Sequence, residues 1–197
     1  MRRIPGAAGL ALLMLLARPQ PASAEWQIRP FAGVKFGGST TFVDLDESAG
    51  LPKLTFGANL LLLGEIFGVE ADFGHTPNSF NGNRGLILSS HTTTLMGSVV
   101  VALPRRMARY TLRPYAVGGA GLVRVSYGDY FGALPVDNSL AGFNVGGGAT
   151  GFLTDRVGLN WELRYFRTLR ASETTGLSFG AEELSFWRAT MGVTIRR

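Results

Sequence analysis

The 197-residue chain contains no cysteine and only two histidines, and beyond its first two dozen residues it has no long apolar run. The absence of cysteine excludes disulfides, thiolate catalysis and cysteine metal sites. Two histidines are too few for a closed zinc site. A transmembrane helix needs about 20 mostly apolar residues in succession. The apolar residues, 46% of the chain, must therefore be arranged in another way.

The N-terminal 24 residues have the three parts of a secretory signal peptide. These are a basic start with two arginines, an apolar centre at 10–16 and a small-residue cleavage site that ends at Ala24. We predict cleavage after Ala24 and export, which leaves one domain, residues 25–197. With the signal removed, 16 basic and 14 acidic residues remain, and this near balance gives no support to a nucleic-acid partner.

Eight stretches after Ala24 alternate apolar residues with glycine, polar or charged ones. In the clearest of them, 157–166, every second residue is a large apolar one: Val157, Leu159, Trp161, Leu163 and Tyr165. A helix of 3.6 residues per turn does not keep such a set on one side, whereas a strand does. The fourth stretch, near 92–103, is the least regular. The pattern predicts an all-β, eight-stranded antiparallel barrel.

The connections between these stretches support an up-and-down barrel in a membrane. The joins after strands two, four and six are short, and those after one, three, five and seven are long and polar. Single-chain outer-membrane barrels have short periplasmic turns and long external loops. A soluble lipocalin-like binding barrel with an apolar cavity is the alternative. The scarcity of lysine and the polar face rich in glycine and threonine favour the membrane barrel.

Several short motifs resemble those of a known family. Arg-Pro-aromatic sequences open strands at 29–31 and 113–115, a glycine-rich stretch follows Phe143, and a turn at Thr154 leads into a strand that reaches Tyr165. Over nearly all of 25–197 the chain resembles the small eight-stranded outer-membrane barrels, the OmpA-like and OmpX-like group. This resemblance implies localisation in the cell outer membrane, contact with lipopolysaccharide and insertion by the barrel-insertion machinery.

In such a barrel, the charged residues of the polar face point into the lumen, where burial requires them to pair. They are Arg29, Lys35, Glu70, Asp72, Arg113, Glu162, Arg164 and Arg188. We interpret them as a polar plug, because an eight-stranded interior is filled by side chains. An ion path or gate is the alternative. Strands seven, eight and one are neighbours on closure, so we expect Glu162 to pair with Arg188 or Arg29.

Two arginines have the parity of the apolar face and lie at the external ends of strands five and seven. They are Arg124, beside Tyr127, and Arg167, beside Tyr165. Arginine binds phosphate through its planar fork, and aromatic rings favour the membrane interface. These four residues are our candidates for contact with lipopolysaccharide. The alternative is that the arginines only extend to water.

An enzyme in the outer membrane needs a nucleophile beside a base. The two histidines, His75 and His91, fall near the external ends of strands three and four, close to Ser79, Ser89 and Ser90. Lipid A hydrolases of similar fold use a rim histidine with serine and a carboxylate. The deacylase-like His-x-Ser-Asn stretch is missing here, and His91 is followed by three threonines. We therefore predict no catalytic site.

Two further patterns match a cofactor or metal motif only formally. Gly146, Gly148 and Gly151 have dinucleotide-fingerprint spacing, but they lie inside an alternating strand and not between a strand and a helix. An acidic loop lacks the ligand spacing of a calcium loop; its acids are Asp44, Asp46 and Glu47. We predict neither a cofactor nor a metal.

The function we expect is non-enzymatic. A rigid barrel displays loops, among them 76–90 and 169–183, which carry any binding of an external ligand. A narrow pore for ions or small solutes is the first alternative, and a lipid A-modifying enzyme at the rim is the second.

Overall fold

The computed structural model describes residues 24–40, 51–78, 87–104, 108, 112–129, 136–169 and 184–197. They form eight strands, β1 Glu25–Thr40, β2 Lys53–Leu63, β3 Phe67–Pro77, β4 Ile87–Ala102, β5 Leu112–Asp129, β6 Val136–Phe152, β7 Val157–Thr168 and β8 Leu184–Arg196. Each strand pairs with the next, and β8 pairs with β1, which closes the barrel. The predicted fold class, strand number and topology are confirmed. No helix in the described part of the chain is long and apolar enough to cross a membrane.

The structure corrects one strand end and one connection. Strand β4 begins earlier than expected, at Ile87, and β5 continues to Asp129, where the two are still paired. The join at 130–135 is consequently shorter than the join at 103–111, so the predicted strict alternation of short and long joins is wrong there. Because main-chain hydrogen bonds do not need apolar side chains, the pairing of β4 with β5 continues beyond the apolar residues of these strands. The predicted signal peptide lies outside the described residues except for Ala24.

The hydrogen-bond register determines the tilt of the strands. Successive partners of Trp26 on β1 lead around the barrel and return to β1 at Phe36, by way of Leu62, Val69, Val99, Gly118, Val145, Tyr165 and Trp187. The stagger is thus ten residues. With a rise of about 3.3 Å and a strand spacing of about 4.8 Å, it gives a tilt of about 40°. Ten residues of β1 then cover about 25 Å of barrel height, the height of the apolar band of such barrels.

The outer wall carries an apolar belt about 25 Å high. Large apolar side chains are exposed along it, and Leu54 and Phe67 reach 74% and 67%. We call the end with the joins 64–66, 103–111 and 153–156 the turn end, and the opposite end the loop end. Outward aromatic rings mark the two edges, Trp26 and Phe67 at the turn end and Phe36, Phe56, Phe73, Tyr165 and Trp187 at the loop end. Such a surface fits lipid and not water.

Glycines at inward-facing positions of the strands leave room inside the barrel. A Cβ on Gly57 overlaps the carbonyl oxygen of Phe73 and lies 2.7 Å from the ring of Phe31. A Cβ on Gly148 lies 2.7 Å from the hydroxyl of Tyr115. The glycines of the alternating stretches therefore provide space for large side chains from other strands.

The seam between β1 and β8 contains a register shift between Phe36 and Ser39. Gly37 lies at this bulge with φ of +59°, a left-handed conformation that glycine adopts without steric cost. Ten paired positions, from Gln27 with Arg196 to Thr40 with Leu184, still join the two strands. The bulge therefore bends the seam and does not open it.

We expect Gly57→Ala to lower the free energy of unfolding by about 1–3 kcal/mol, because the added methyl group overlaps the Phe73 carbonyl oxygen and crowds the Phe31 ring. Gly97→Ala is the matched control. Gly97 faces outward, and an added Cβ there meets nothing closer than the Ala120 carbonyl oxygen at 3.9 Å. Urea unfolding in lipid vesicles measures both variants. Equal midpoints for the two would show that the inward glycines do not relieve crowding.

Candidate functional site

All eight charged residues predicted to face the lumen are buried in the barrel, with at most 5% of their surface exposed. Six of them form a buried ion network, which we define as Arg29, Glu70, Asp72, Glu162, Arg164 and Arg188. The Nζ of Lys35 lies 4.7 Å from the ring centroid of Phe186. Arg113 lies at the turn end.

Arg164 on β7 is the centre of the ion network. Its Nε is 2.5 Å from Glu162 Oε1, and one terminal nitrogen donates to both Glu162 Oε2, at 2.6 Å, and Glu70. Its other terminal nitrogen is 4.0 Å from Asp72 Oδ2. Bidentate, charge-assisted bonds of this kind are the stronger class of hydrogen bonds. One guanidinium thus neutralises carboxylates from both β3 and β7.

The network ties opposite walls together. Strands β3 and β7 are separated by three strands on either side in the closed barrel. Arg188 on β8 donates to Asp72 of β3 at 2.5 Å, and Arg29 on β1 reaches Glu70 at 3.9 Å. The side chains therefore span the lumen from wall to wall and act as an internal strap.

Aromatic rings hold the cations in place. The guanidinium carbon of Arg188 lies between two rings, 4.8 Å from the centroid of Phe31 and 4.6 Å from that of Phe166. That of Arg29 is 5.1 Å from the ring centroid of Tyr115. Four cations, Lys35 included, share this interior with three carboxylates, and the ring faces attract the excess positive charge.

The sequence did not predict the closest cation to Glu162. Glu162 is bridged to Arg164 of its own strand. Residues two apart on a strand point to the same side, and here they are as close as residues of neighbouring strands. Tyr115 belongs to the site although it was not predicted: its hydroxyl donates to Glu162 at 2.8 Å and also lies 2.9 Å from Asn160 Oδ1. Its inward parity on β5 was the available signal.

Arg113 faces the lumen as predicted, but its guanidinium binds main-chain carbonyls. Its side chain points inward, but its guanidinium donates to main-chain carbonyls of the turn end, Leu103 at 3.0 Å, Gly64 at 3.3 Å and Glu65 at 2.6 Å. These contacts join the turn 64–66 to the start of the connection after β4. Arg113 thus stabilises the turn end of the barrel.

Apolar layers lie on both sides of the ion network. Toward the turn end, the lumen is filled by Leu61, Leu63, Val100, Ala102, Tyr115 and Val117. Toward the loop end, it is filled by Met96, Val123, Val125, Phe166, Leu184 and Phe186. Each of these residues is 7% exposed or less. A buried apolar cluster therefore flanks the ion network toward each end of the barrel.

The four candidate lipid-contact residues lie at the loop end. Arg124 and Arg167 are exposed on the outer wall, each two residues beyond the apolar edge of its strand, at Leu122 and Tyr165. The ring of Tyr165 packs against Trp187, with centroids 5.2 Å apart. The backbone of Tyr127 belongs to β5 and pairs with Val136, and its side chain lies outside the described part.

The two histidines lie side by side on the outer wall. Their ring centroids are 5.7 Å apart, and His75 Nδ1 is 3.0 Å from Thr93 Oγ1. Within the described residues, neither ring is bonded to a serine or carboxylate, and no cluster of three metal-ligating side chains occurs. Ser79 and the side chains of Ser89 and Ser90 lie outside the described part, as do Asp44, Asp46 and Glu47. The glycine triplet 146–151 lies inside β6, and no helix follows it.

A closed barrel with an apolar exterior and an ionic interior is the architecture of an integral membrane β-barrel, since closure satisfies every backbone group of the spanning strands. Residues 8–194 match the family described as outer membrane protein beta-barrel domain. The chain belongs to this family and to the outer membrane, and the resemblance inferred from its sequence is confirmed. Among curated proteins none matches the chain.

Solved structures of small outer-membrane barrels are similar in fold. Neisserial surface protein A is 14% identical, with a TM-score of 0.64 over 87% of this chain and 96% of that one. OprG of Pseudomonas aeruginosa is 14% identical, with a TM-score of 0.55 over 89% and 97%. Ail of Yersinia pestis, in complex with the heparin analogue sucrose octasulfate, is 16% identical, with a TM-score of 0.51 over 87% and 99%. At these identities the likeness concerns the fold alone.

We expect Arg164→Met to cost about 3–5 kcal/mol of folding free energy, because it leaves three buried carboxylates without their central cation. The matched control is Arg156→Met, an exposed turn arginine, for which a change within about 0.5 kcal/mol is expected. Denaturant unfolding followed by tryptophan fluorescence gives both values. Similar losses in the two variants would mean that the network contributes nothing to stability.

Proposed function

We propose that the protein is a closed, non-enzymatic barrel of the outer membrane that displays its loop end as a recognition surface. The observation that carries this proposal is the lumen filled by buried side chains, in which an ion network is flanked by an apolar cluster toward each end. A pore needs a continuous polar path, and apolar constrictions block ions by excluding water. This arrangement favours the plug over the pore.

The strap across the lumen also argues against a simple gate. To open a path, the barrel has to separate Arg164 from Glu70 and Glu162, and Arg188 from Asp72. Separation of a buried pair costs about 3–5 kcal/mol when no new partner replaces the old one. In addition, Arg188 has to leave the two rings that enclose it. These contacts therefore support a closed ground state.

A barrel without a channel interacts with partners through its ends and its wall. The strand bounds leave four connections at the loop end, 41–52, 78–86, 130–135 and 169–183. Connections on a rigid scaffold are the usual place for binding, because they can change while the fold stays intact. Ail, a barrel of the same fold, is in complex with a sulfated sugar analogue. An external ligand of this chain is expected at its loop end.

In planar bilayers, we expect the refolded protein to show no resolved single-channel steps at potentials at which a porin, measured in the same bilayers, conducts. Insertion is verified by migration on gels without boiling, where a folded barrel runs anomalously and the boiled chain does not. Steady, ohmic steps from the folded band alone would contradict the closed lumen and support the narrow pore.

A second role for the wall is contact with lipopolysaccharide phosphates. Arg124 and Arg167 carry it, because both extend from the outer wall immediately beyond the apolar edge at the loop end. Tyr165 and Trp187 form an aromatic pair just below Arg167. The guanidinium group of arginine binds two phosphate oxygens at once. Aromatic rings at the membrane–water interface hold the barrel at a fixed depth in the membrane.

For this contact we expect a loss of lipopolysaccharide affinity of about fivefold for each of Arg124→Ala and Arg167→Ala, since one surface cation contributes about 1 kcal/mol near an anionic membrane. Arg156→Ala, at the turn end, should change nothing. Retention of fluorescent lipopolysaccharide by the detergent-folded barrel measures the effect, and its decrease with salt checks the charge dependence. Equal retention by all three variants would leave the arginines with no more than a solvated role.

A further inference from the structure

The two histidines of the chain meet on the outer wall, although 15 residues separate them in sequence. His75 on β3 is paired in register with Thr93 on β4, and His91 lies two residues from Thr93 on the same face. The ring centroids are 5.7 Å apart and the ring planes make an angle of 41°. Neither ring takes part in the ion network or in the proposed lipid-phosphate contact.

This separation suits two imidazoles that share one metal ion. A zinc–nitrogen bond is about 2.0–2.1 Å long, which places the centroid of a coordinating imidazole about 3.2 Å from the ion. When the nitrogen–metal–nitrogen angle is tetrahedral, the centroids of two such rings are about 5.2 Å apart, and when it is linear they are about 6.4 Å apart. The observed 5.7 Å lies within this range.

Thr93 orients the first of the two rings. Its hydroxyl oxygen is 3.0 Å from His75 Nδ1. When Nδ1 donates a proton to that oxygen, Nε2 carries the free lone pair, and a bond of this type from the second ring nitrogen is typical of metal-ligating histidines. We propose that His75 and His91 form a two-imidazole site for a borderline divalent transition metal, such as zinc, copper or nickel, on the outer wall at the loop end.

The environment suggests how the coordination is completed. Two imidazoles leave positions open on the ion, to be occupied by water or by an anionic oxygen ligand. Arg124 on β5 is paired in register with Thr93 on β4, and the positive charge of Arg124 favours an anionic ligand beside the metal ion. Magnesium and calcium prefer oxygen ligands and are not expected to bind the ring pair.

Calorimetric titration of the refolded protein, purified without a histidine tag, tests the site with zinc alone. One ion per barrel is expected. His75→Ala and His91→Ala should each weaken binding by roughly 100-fold, because the second imidazole binds within the same molecule. The double variant, which has no imidazole left, should bind more weakly than either single one. Thr93→Val, which keeps the shape and removes the orienting hydroxyl, should cost about tenfold.

Copper binding followed by electron paramagnetic resonance counts the ligands directly, and two nitrogens are expected for the native protein and one for each single variant. Gel mobility without boiling verifies that every variant is folded, and magnesium serves as the negative control. Independent binding of one ion by each histidine, a single-nitrogen spectrum, or unchanged zinc affinity in either alanine variant overturns the proposal.

Discussion

The absence of hydrogen-bond partners in a lipid bilayer is the constraint from which the rest of this structure follows. Every strand that crosses the hydrocarbon must satisfy its backbone groups on other strands, and only a closed cylinder has no unpaired edge. The ladder from β8 back to β1 completes that cylinder. Once it is closed, alternate residues point to lipid and to the lumen, so one sequence pattern determines both surfaces.

The narrow interior that results explains the composition of the polar face. Eight strands leave a lumen that side chains fill. Large groups such as Arg164 and Arg188 therefore face glycines, and a Cβ on Gly74 would collide with the guanidinium of Arg188. The glycines and the arginines are complementary parts of one packing arrangement. Carboxylates and aromatic rings then offset the cost of burying the cations.

Most of the fold, and less of the site, could be predicted from the sequence. Period-two alternation showed which residues face inward, so the burial of Glu70, Asp72 and Arg164 followed from parity. The pairing within the lumen did not, because a side chain in so narrow a space reaches its own strand, its neighbour or the opposite wall. Glu162 therefore has Arg164 as its partner, and Arg113 binds turn carbonyls. The ends of β4 and β5 extend beyond the apolar pattern, where side chains no longer report on the ladder.

The seam between β1 and β8 joins strands at opposite ends of the chain, and its entropic cost can be estimated. Each doubling of a closed loop adds about 0.6 kcal/mol. Going from a loop of about ten residues to one of about 160 is four doublings, or about 2.4 kcal/mol. A main-chain hydrogen bond contributes about 0.5–1.5 kcal/mol net in water. A few of the ten paired positions along this seam are thus enough to offset the distance in sequence, even with a bulge among them.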